Sequence, residues 1–276
     1  MASFLYLHIQ LTCLRMNPPK KIHLLRYICV FGYLVCCLNM VHARQVISTC
    51  QDSIVTPVPF LQRIPYKQLV LPVGLMTYGI IALESHFLIG QNQDIRNELQ
   101  ENIDRKFTVD DFSQYASTAS VFVLDMAGIK AKHNLKQRFF TTAVSHAIMA
   151  TTVISVKNTG TVWRPDSSAN NSFPSGHTAT AFIGAELLWQ EYKDQSIWYG
   201  IAGYTVAAGT GFFRMYNNKH WLSDVAMGAG IGILSTKIAY WLLPLVDHKF
   251  KGKSRDYILL PSYNGRQITL VGSMTF

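Results

Sequence analysis

The chain has 276 residues, 49% hydrophobic and 15% charged, with a formal net charge of +9. That balance excludes a disordered or purely polar binder and suffices for one sizeable domain with short appendages. The positive excess suits an anionic substrate, a membrane surface, or an uneven distribution of charge across a bilayer. All five cysteines (Cys13, Cys29, Cys36, Cys37 and Cys50) precede the region where polar motifs gather, so neither a disulfide framework nor a cysteine metal site is expected in the core.

Residues 1–45 read as a signal peptide or signal anchor. Arg15, Lys20, Lys21 and Arg26 precede any acidic residue, residues 27–41 are almost wholly apolar, and Val41-His42-Ala43 puts small residues where a signal peptidase reads. Met16, ahead of Asn17-Pro18-Pro19-Lys20-Lys21, makes a more ordinary start than Met1. Residues 46–68 form a linker, kept extended by Pro57, Pro59 and Pro65, since each proline denies the preceding residue a helical backbone. A helical domain is expected over 69–247. Within it, residues 69–90 are long enough to span a bilayer despite Pro72, Glu84 and His86. Residues 91–111 read as a polar surface helix or loop, and 117–128, interrupted by Asp125, as too weak to span.

Residues 139–156, 178–189, 197–213 and 221–246 are apolar, with small residues such as Gly200, Gly203, Gly228, Gly230 and Gly232 that let helices approach closely in membranes. They are too apolar all round for surface helices, and an α-helical membrane domain follows. The remaining residues, 248–276, are a basic tail. It carries Lys249, Lys251, Lys253 and Arg255, then an alternation through Ile268, Leu270, Gly272, Met274 and Phe276 that predicts one short strand. A membrane barrel needs about eight such strands.

Three polar clusters interrupt the apolar second half: 157–165, 173–177 and 214–224. Ionisable groups at membrane depth are costly and usually functional. Lys157, Arg164 and Arg214 can neutralise a phosphoryl group without a metal, the guanidinium as a fork matched to phosphate oxygens and the ammonium as a point charge. Ser175 and Gly176 open a helix whose free N–H groups favour an anion, although Pro174-Ser175 alone is also ordinary helix-start chemistry. His220 and Asp224 stand four apart, on one helical face, where the carboxylate can hold one imidazole nitrogen and leave the other as a fixed nucleophile. His177 is free to act as acid toward a leaving oxygen and then as base toward water.

Lys157-x6-Arg164-Pro165, Pro174-Ser175-Gly176-His177 and Arg214-x5-His220-x3-Asp224 together resemble the tripartite signature of the type 2 phosphatidic acid phosphatase superfamily, most closely its Gram-negative bacterial members. The resemblance covers residues 69–246. It implies an all-α six-helix bundle in the membrane, His220 as nucleophile, Asp224 as its orienting partner, His177 as general acid, and Lys157, Arg164, Ser175, Gly176 and Arg214 as phosphate ligands. The implied reaction is hydrolysis of a phosphomonoester or diphosphate of a lipid through a phosphohistidine, with no metal or other cofactor and no nucleic-acid partner. The family usually has Ser before the third-motif arginine, and Phe213 stands there instead, which bears on substrate preference.

Rival readings are weaker. A Ser175-His-Asp224 hydrolase lacks the G-x-S-x-G turn, a metal held by His177, His220 and Asp224 would be repelled by the three cations, and the related vanadium haloperoxidases are a larger soluble class. A soluble periplasmic acid phosphatase and a non-catalytic lipid-phosphate binder or flippase stand as alternatives. Charge sets an expected topology. If 27–41 inserts from inside, 69–90 returns and 117–128 does not span, then 139–156 exits and the site faces the periplasm of a bacterial inner membrane. The clusters at Lys20 and Lys21, Lys130 to Arg138 and Lys249 to Arg255 then lie inside.

Overall fold

The computed structural model describes residues 66–101, 107–160, 162–246, 257–263 and 268–274. The signal or anchor, the linker up to residue 65, the five cysteines and the basic cluster at 249–255 lie outside the described residues. A 3-10 turn, Tyr66–Leu69, leads into α1 (Val70–Ile81), followed by α2 (His86–Gln100), α3 (Val109–Met126), α4 (Leu135–Lys157), α5 (Gly176–Tyr192), α6 (Ile197–Tyr216), α7 (Leu222–Val246), β1 (Tyr257–Tyr263) and β2 (Ile268–Met274).

Local sequence sets several of these boundaries. Asn134 accepts from Gln137 N while Gln137 Oε1 accepts from Asn134 N, both at 2.9 Å, a reciprocal cap that starts α4. Ser175 and Ser196 cap α5 and α6. Asp110 and Asp111 occupy the first turn of α3, where the helix dipole favours negative charge. At the end of α6 the chain turns through Asn218 with φ of 58°, the left-handed conformation that asparagine tolerates.

All the helices except α2 pack side by side as a six-helix bundle, with α7 against α1, α4 and α5, and α5 against α3 and α6. Helices α4 and α7 are each long and apolar enough to cross a membrane. The outward faces carry exposed Val70, Val73, Phe139, Ile154, Ile197 and Ile201, a surface suited to hydrocarbon.

One expectation about spans needs correction. Residues 69–90 are not one helix: the chain leaves α1 at Ile81 and re-enters helix at His86, with α2 bent by 95°. Glu84, Ser85 and His86 supply the polarity that ends the apolar run, and α2 lies across the end of the bundle. The 117–128 segment, expected not to span, is not among the helices long and apolar enough to cross a membrane, yet it packs within the bundle. It belongs to α3, which runs along α5 from Asp110, bonded to Arg214, down to Val121, whose carbonyl accepts from Tyr192 Oη at 2.8 Å. Its polar side chains find partners inside: Asp125 pairs with Arg138 of α4, so the charge that weakened the apolar pattern is neutralised by a neighbouring helix. The tail also holds more than one strand, since β1 and β2 pair antiparallel with Pro261 opposite Leu270.

The α5–α7 contact is made by bare backbone. A Cβ on Gly228 would lie 2.4 Å from Ser175 O, and one on Gly232 would lie 2.4 Å from Ala179 O. Substituting Gly228 with Val should therefore force the two helices apart and cost several degrees of thermal stability, overpacking being worth about 1–3 kcal/mol or more. Gly209→Ala, with nothing within 4 Å of the added Cβ, is the neutral control. Thermal unfolding in detergent checks the pair, and equal melting points would refute the backbone-contact account.

Candidate active site

The three polar clusters converge at the end of the bundle where α4 ends and α5 and α7 begin. The first and second are tied by Ser172 N donating to Val162 O at 3.0 Å. The first and third are tied twice: Trp221 Nε1 donates to Trp163 O at 2.8 Å, and Lys219 Nζ meets Asp166 Oδ2 at 2.7 Å. Burial alone would raise the Asp166 pKa, but hydrogen bonds from Lys219 and Ser168 hold it well below the usual carboxylate range. The second and third are joined by Ser175 N donating to Asp224 O at 3.0 Å. Above them α2 bonds to both catalytic loops: Asn92 Nδ2 donates to Ser223 Oγ at 3.2 Å, Arg96 Nε to Asn218 Oδ1 at 3.0 Å, and Arg96 Nη2 to Pro165 O at 3.3 Å.

His220 and Asp224 are both buried. Asp224 Oδ2 accepts from Ser172 Oγ at 2.5 Å and from Trp221 N at 2.9 Å, and lies 3.5 Å from His220 Nδ1. Ser172 Oγ is 3.4 Å from the same nitrogen, so hydroxyl and carboxylate together confront Nδ1 and leave Nε2 as the ring's other face. Burial pushes the His220 pKa down to about 4, with Asp224 opposing the shift and Arg214 and Lys157 adding to it. The imidazole is consequently neutral, with a free lone pair, through the physiological range.

The cations stand around it. Lys157 lies within electrostatic reach of Arg164, Arg214 and Asp224, and its Nζ donates to Asn171 O at 2.6 Å. Arg214 Nη1 is bonded to Asp110 Oδ2 at 2.5 Å. The Nε atoms of Arg164 and Arg214 are buried without a hydrogen-bond partner. A buried guanidinium N–H is a strong donor for a phosphate oxygen. Ser175 is placed differently from expectation: it is fully buried, and its hydroxyl lies 2.9 Å from Thr178 Oγ1 and caps α5. Gly176 and His177, the first two residues of that helix, keep backbone N–H groups without intrahelical partners. Among the described residues no three of His, Cys, Asp and Glu converge as a metal site would require.

Comparison with known proteins fits this arrangement. The sequence profile of the PAP2 superfamily matches residues 140–246. Residues 140–246 thus resemble a PAP2 superfamily domain. A lipid A 1-phosphatase from Porphyromonas gingivalis is 55% identical over 83 residues, 30% of this chain and 19% of that protein. The bacitracin transport permease protein BcrC of Bacillus licheniformis is 34% identical over 76 residues, 27% of this chain and 35% of that one. The chain thus matches about a fifth to a third of the length of these curated relatives. Among solved structures, Aquifex aeolicus LpxE aligns with a TM-score of 0.42 at 22% identity, over 54% of this chain and 94% of that one.

Sequence reasoning missed the partners that come from outside the PAP2 match. Asp110 and Asp111 of α3 hold Arg214 and His177, the latter through Asp111 Oδ1 at 3.1 Å from His177 Nε2. Asn217 closes the set, donating to Asp110 Oδ1 at 2.9 Å and to Phe107 O at 2.6 Å. The only signal in the sequence was the Asp110-Asp111 pair itself, which reads equally well as first-turn helix chemistry. Inside the PAP2 match Ser172 was also missed, being one small hydroxyl beside a louder motif.

The His220 environment is directly measurable. Because its folded pKa is lowered, the neutral form persists as pH falls and protonation begins only near 4. Its side-chain nitrogen resonances should stay those of a neutral ring at pH 5.5, where an ordinary histidine of pKa about 6.5 is mostly charged. Titration near 6.5 would show that the imidazole is solvated and not buried among cations.

Proposed function

We propose that this protein is a metal-independent phosphatase that hydrolyses a phosphomonoester or diphosphate of a membrane lipid in two displacements through a phosphohistidine. The observation that carries the reading is a buried His220, held by Asp224 and Ser172 and within electrostatic reach of Arg214 and Lys157, with Arg164 acting on Lys157 in turn. Such a site is suited to an oxyanion and already equipped with a nucleophile.

In this reading Nε2 of His220 attacks phosphorus as the P–O bond to the leaving group breaks, while Asp224 and Ser172 hold Nδ1 and balance the charge that develops on the ring. Lys157, Arg164, Arg214 and the N–H groups of Gly176 and His177 take the non-bridging oxygens, which gain charge in the transition state. Ser175 acts by fixing the helix start, its hydroxyl being committed to Thr178. His177 gives a proton to the leaving oxygen. It then removes one from water as the new P–O bond forms and the N–P bond breaks. Since Asp111 occupies Nε2 of His177, Nδ1 is the nitrogen available for that transfer.

A lipid substrate is favoured over a soluble ester by what surrounds the site. Phe112 and Tyr115, on the turn of α3 that carries Asp111, are 79% and 56% exposed, and Phe212 of α6, two residues from Arg214, is 44% exposed. An aromatic rim on an apolar bundle suits the boundary between membrane and water. The lipid A 1-phosphatase named among the relatives belongs to the same substrate class.

Turnover should survive excess chelator and be inhibited by vanadate, which mimics five-coordinate phosphorus. His220→Ala should lose an acid-labile phosphoenzyme altogether. His177→Ala should slow its formation from poor leaving groups and its breakdown by about 100-fold or more, the usual worth of a general acid–base. Purified protein assayed with lipid A, undecaprenyl diphosphate, phosphatidylglycerophosphate and phosphatidic acid would identify the preferred lipid. Activity lost in chelator and restored by a divalent ion, or substantial turnover by His220→Ala, would overturn the reading.

For topology, α1, α3 and α4 run in turn between the two ends of the bundle, so the start of α1 lies at the end opposite the catalytic face. Lys130, Lys132 and Lys136 sit at that opposite end, between α3 and α4, and the positive-inside rule assigns it to the cytoplasm. The catalytic face then looks toward the periplasm of a bacterial inner membrane. In a chain whose native cysteines are replaced, Ser168→Cys should react with a membrane-impermeant thiol reagent in intact spheroplasts and Lys136→Cys should not. The converse labelling would put the site in the cytoplasm, and labelling of both would favour a soluble periplasmic enzyme.

A further inference from the structure

A second cavity, of about 600 Å³, opens on the side of the bundle between the start of α1 and helices α5, α6 and α7. Its walls include Lys67, Leu71, Trp189, Tyr204, Ile233 and Lys237. It is far from the catalytic end: Glu186, also in its lining, is ten residues along α5 from Gly176, about 15 Å at 1.5 Å per residue.

The polar chemistry here is asymmetric. Glu186 is fully occupied, Oε1 accepting from Lys237 Nζ and Gln190 Nε2, each at 2.6 Å, and Oε2 from Tyr204 Oη. Lys237, only 8% exposed, is bonded to this one acceptor. An ammonium carries three donors, so two remain for a ligand. Lys67 lies at the mouth, exposed and without an ion-pair partner among the described residues. With the acid spent and two lysines present, the cavity is complementary to an anion.

Depth arranges these groups in an order that matches one class of molecule. Lys67 sits in the turn before α1, at the bundle end where Tyr66 and Trp198 are 73% and 70% exposed, as aromatic residues are at a membrane interface. Tyr204 and Lys237 lie about 10 Å and 13 Å in from the ends of α6 and α7. Beyond them the lining is Ala208 and Ile233. Phosphate, ester oxygens and acyl chain occur in that order in a phospholipid. We infer that this groove binds an anionic phospholipid of the leaflet opposite the active site, with its phosphate on Lys67, its glycerol ester oxygens on Lys237 and an acyl chain along Ala208 and Ile233.

The test uses the full chain purified in detergent and titrated with dioleoylphosphatidylglycerol, dioleoylphosphatidylethanolamine or dioleoylglycerol, with bound lipid counted by native mass spectrometry. One saturable phosphatidylglycerol should bind, in preference to the other two, and raise the melting temperature. Lys67→Glu, at an exposed position, should weaken that binding by roughly fivefold or more. Ala208→Phe should abolish it by filling the groove, and both variants should keep the lipid-free melting temperature and hydrolysis of p-nitrophenyl phosphate. Vanadate should not displace the lipid. Equal binding of the neutral diacylglycerol, binding that survives Ala208→Phe, displacement by vanadate, or no bound lipid would each overturn the inference. The binding and melting results do not depend on the phosphatase reading, since phosphatidylglycerol is a phosphodiester; only the p-nitrophenyl phosphate control does.

Discussion

Everything at the catalytic end hangs on Asp224. One carboxylate oxygen gathers Ser172, the backbone of Trp221 and the near edge of His220, while its main-chain carbonyl receives the N–H of Ser175. A single residue in the first turn of α7 thereby fixes the histidine, the strand-like approach to α5 and the start of α5 itself. The contact is possible only because Gly228, one turn further on, presents no side chain to the Ser175 carbonyl. Loss of either feature would separate elements that, in the proposed reaction, must agree to within a fraction of an ångström for transfer between a fixed nucleophile and a fixed anion cradle.

Before any ligand arrives, the cations are not idle. Arg214 is bonded to Asp110, Lys157 to the Asn171 carbonyl and Lys219 to Asp166. These partners divide into two kinds. The neutral carbonyl that holds Lys157 competes weakly with a phosphate, so that lysine is free to move onto it. Asp110 cannot be displaced as cheaply from a buried guanidinium, so it fixes one edge of Arg214 and leaves Nε as the edge on offer.

The sequence was most informative where chemistry requires particular residues at particular spacings. His220 and Asp224 could be paired by helical period, and the cations flanking 157–165 could be read as a cradle, because few other uses exist for such groups in apolar surroundings. The long apolar stretches likewise matched α4 through α7. Sequence failed where a partner's meaning depends on tertiary contact. Asp125 weakened 117–128 as an apolar segment, and only Arg138 on the next helix shows how its charge is accommodated. Asp110 and Asp111 could not be told from an ordinary helix start until Arg214 and His177 were seen beside them. The bend after Ile81 was written in Glu84-Ser85-His86, but an apolar average over 69–90 hides three polar residues. The second strand was masked by Pro261, which argues against a strand interior although it is tolerated at an edge.

The helix that crosses the top of the bundle has a further consequence. With Asn92 and Arg96 pinned to loops on both sides of His220, α2 is a roof fastened at its eaves, not a flap. In the proposed function, substrate would then enter by the walls. A molecule held in the bilayer would arrive there by sliding in two dimensions past the exposed Phe112 and Tyr115, already at the right height and the right way up. A phosphate ester dissolved in water must search three dimensions for the same doorway. Selection would then begin with the route of approach, before any group on the substrate has touched the protein.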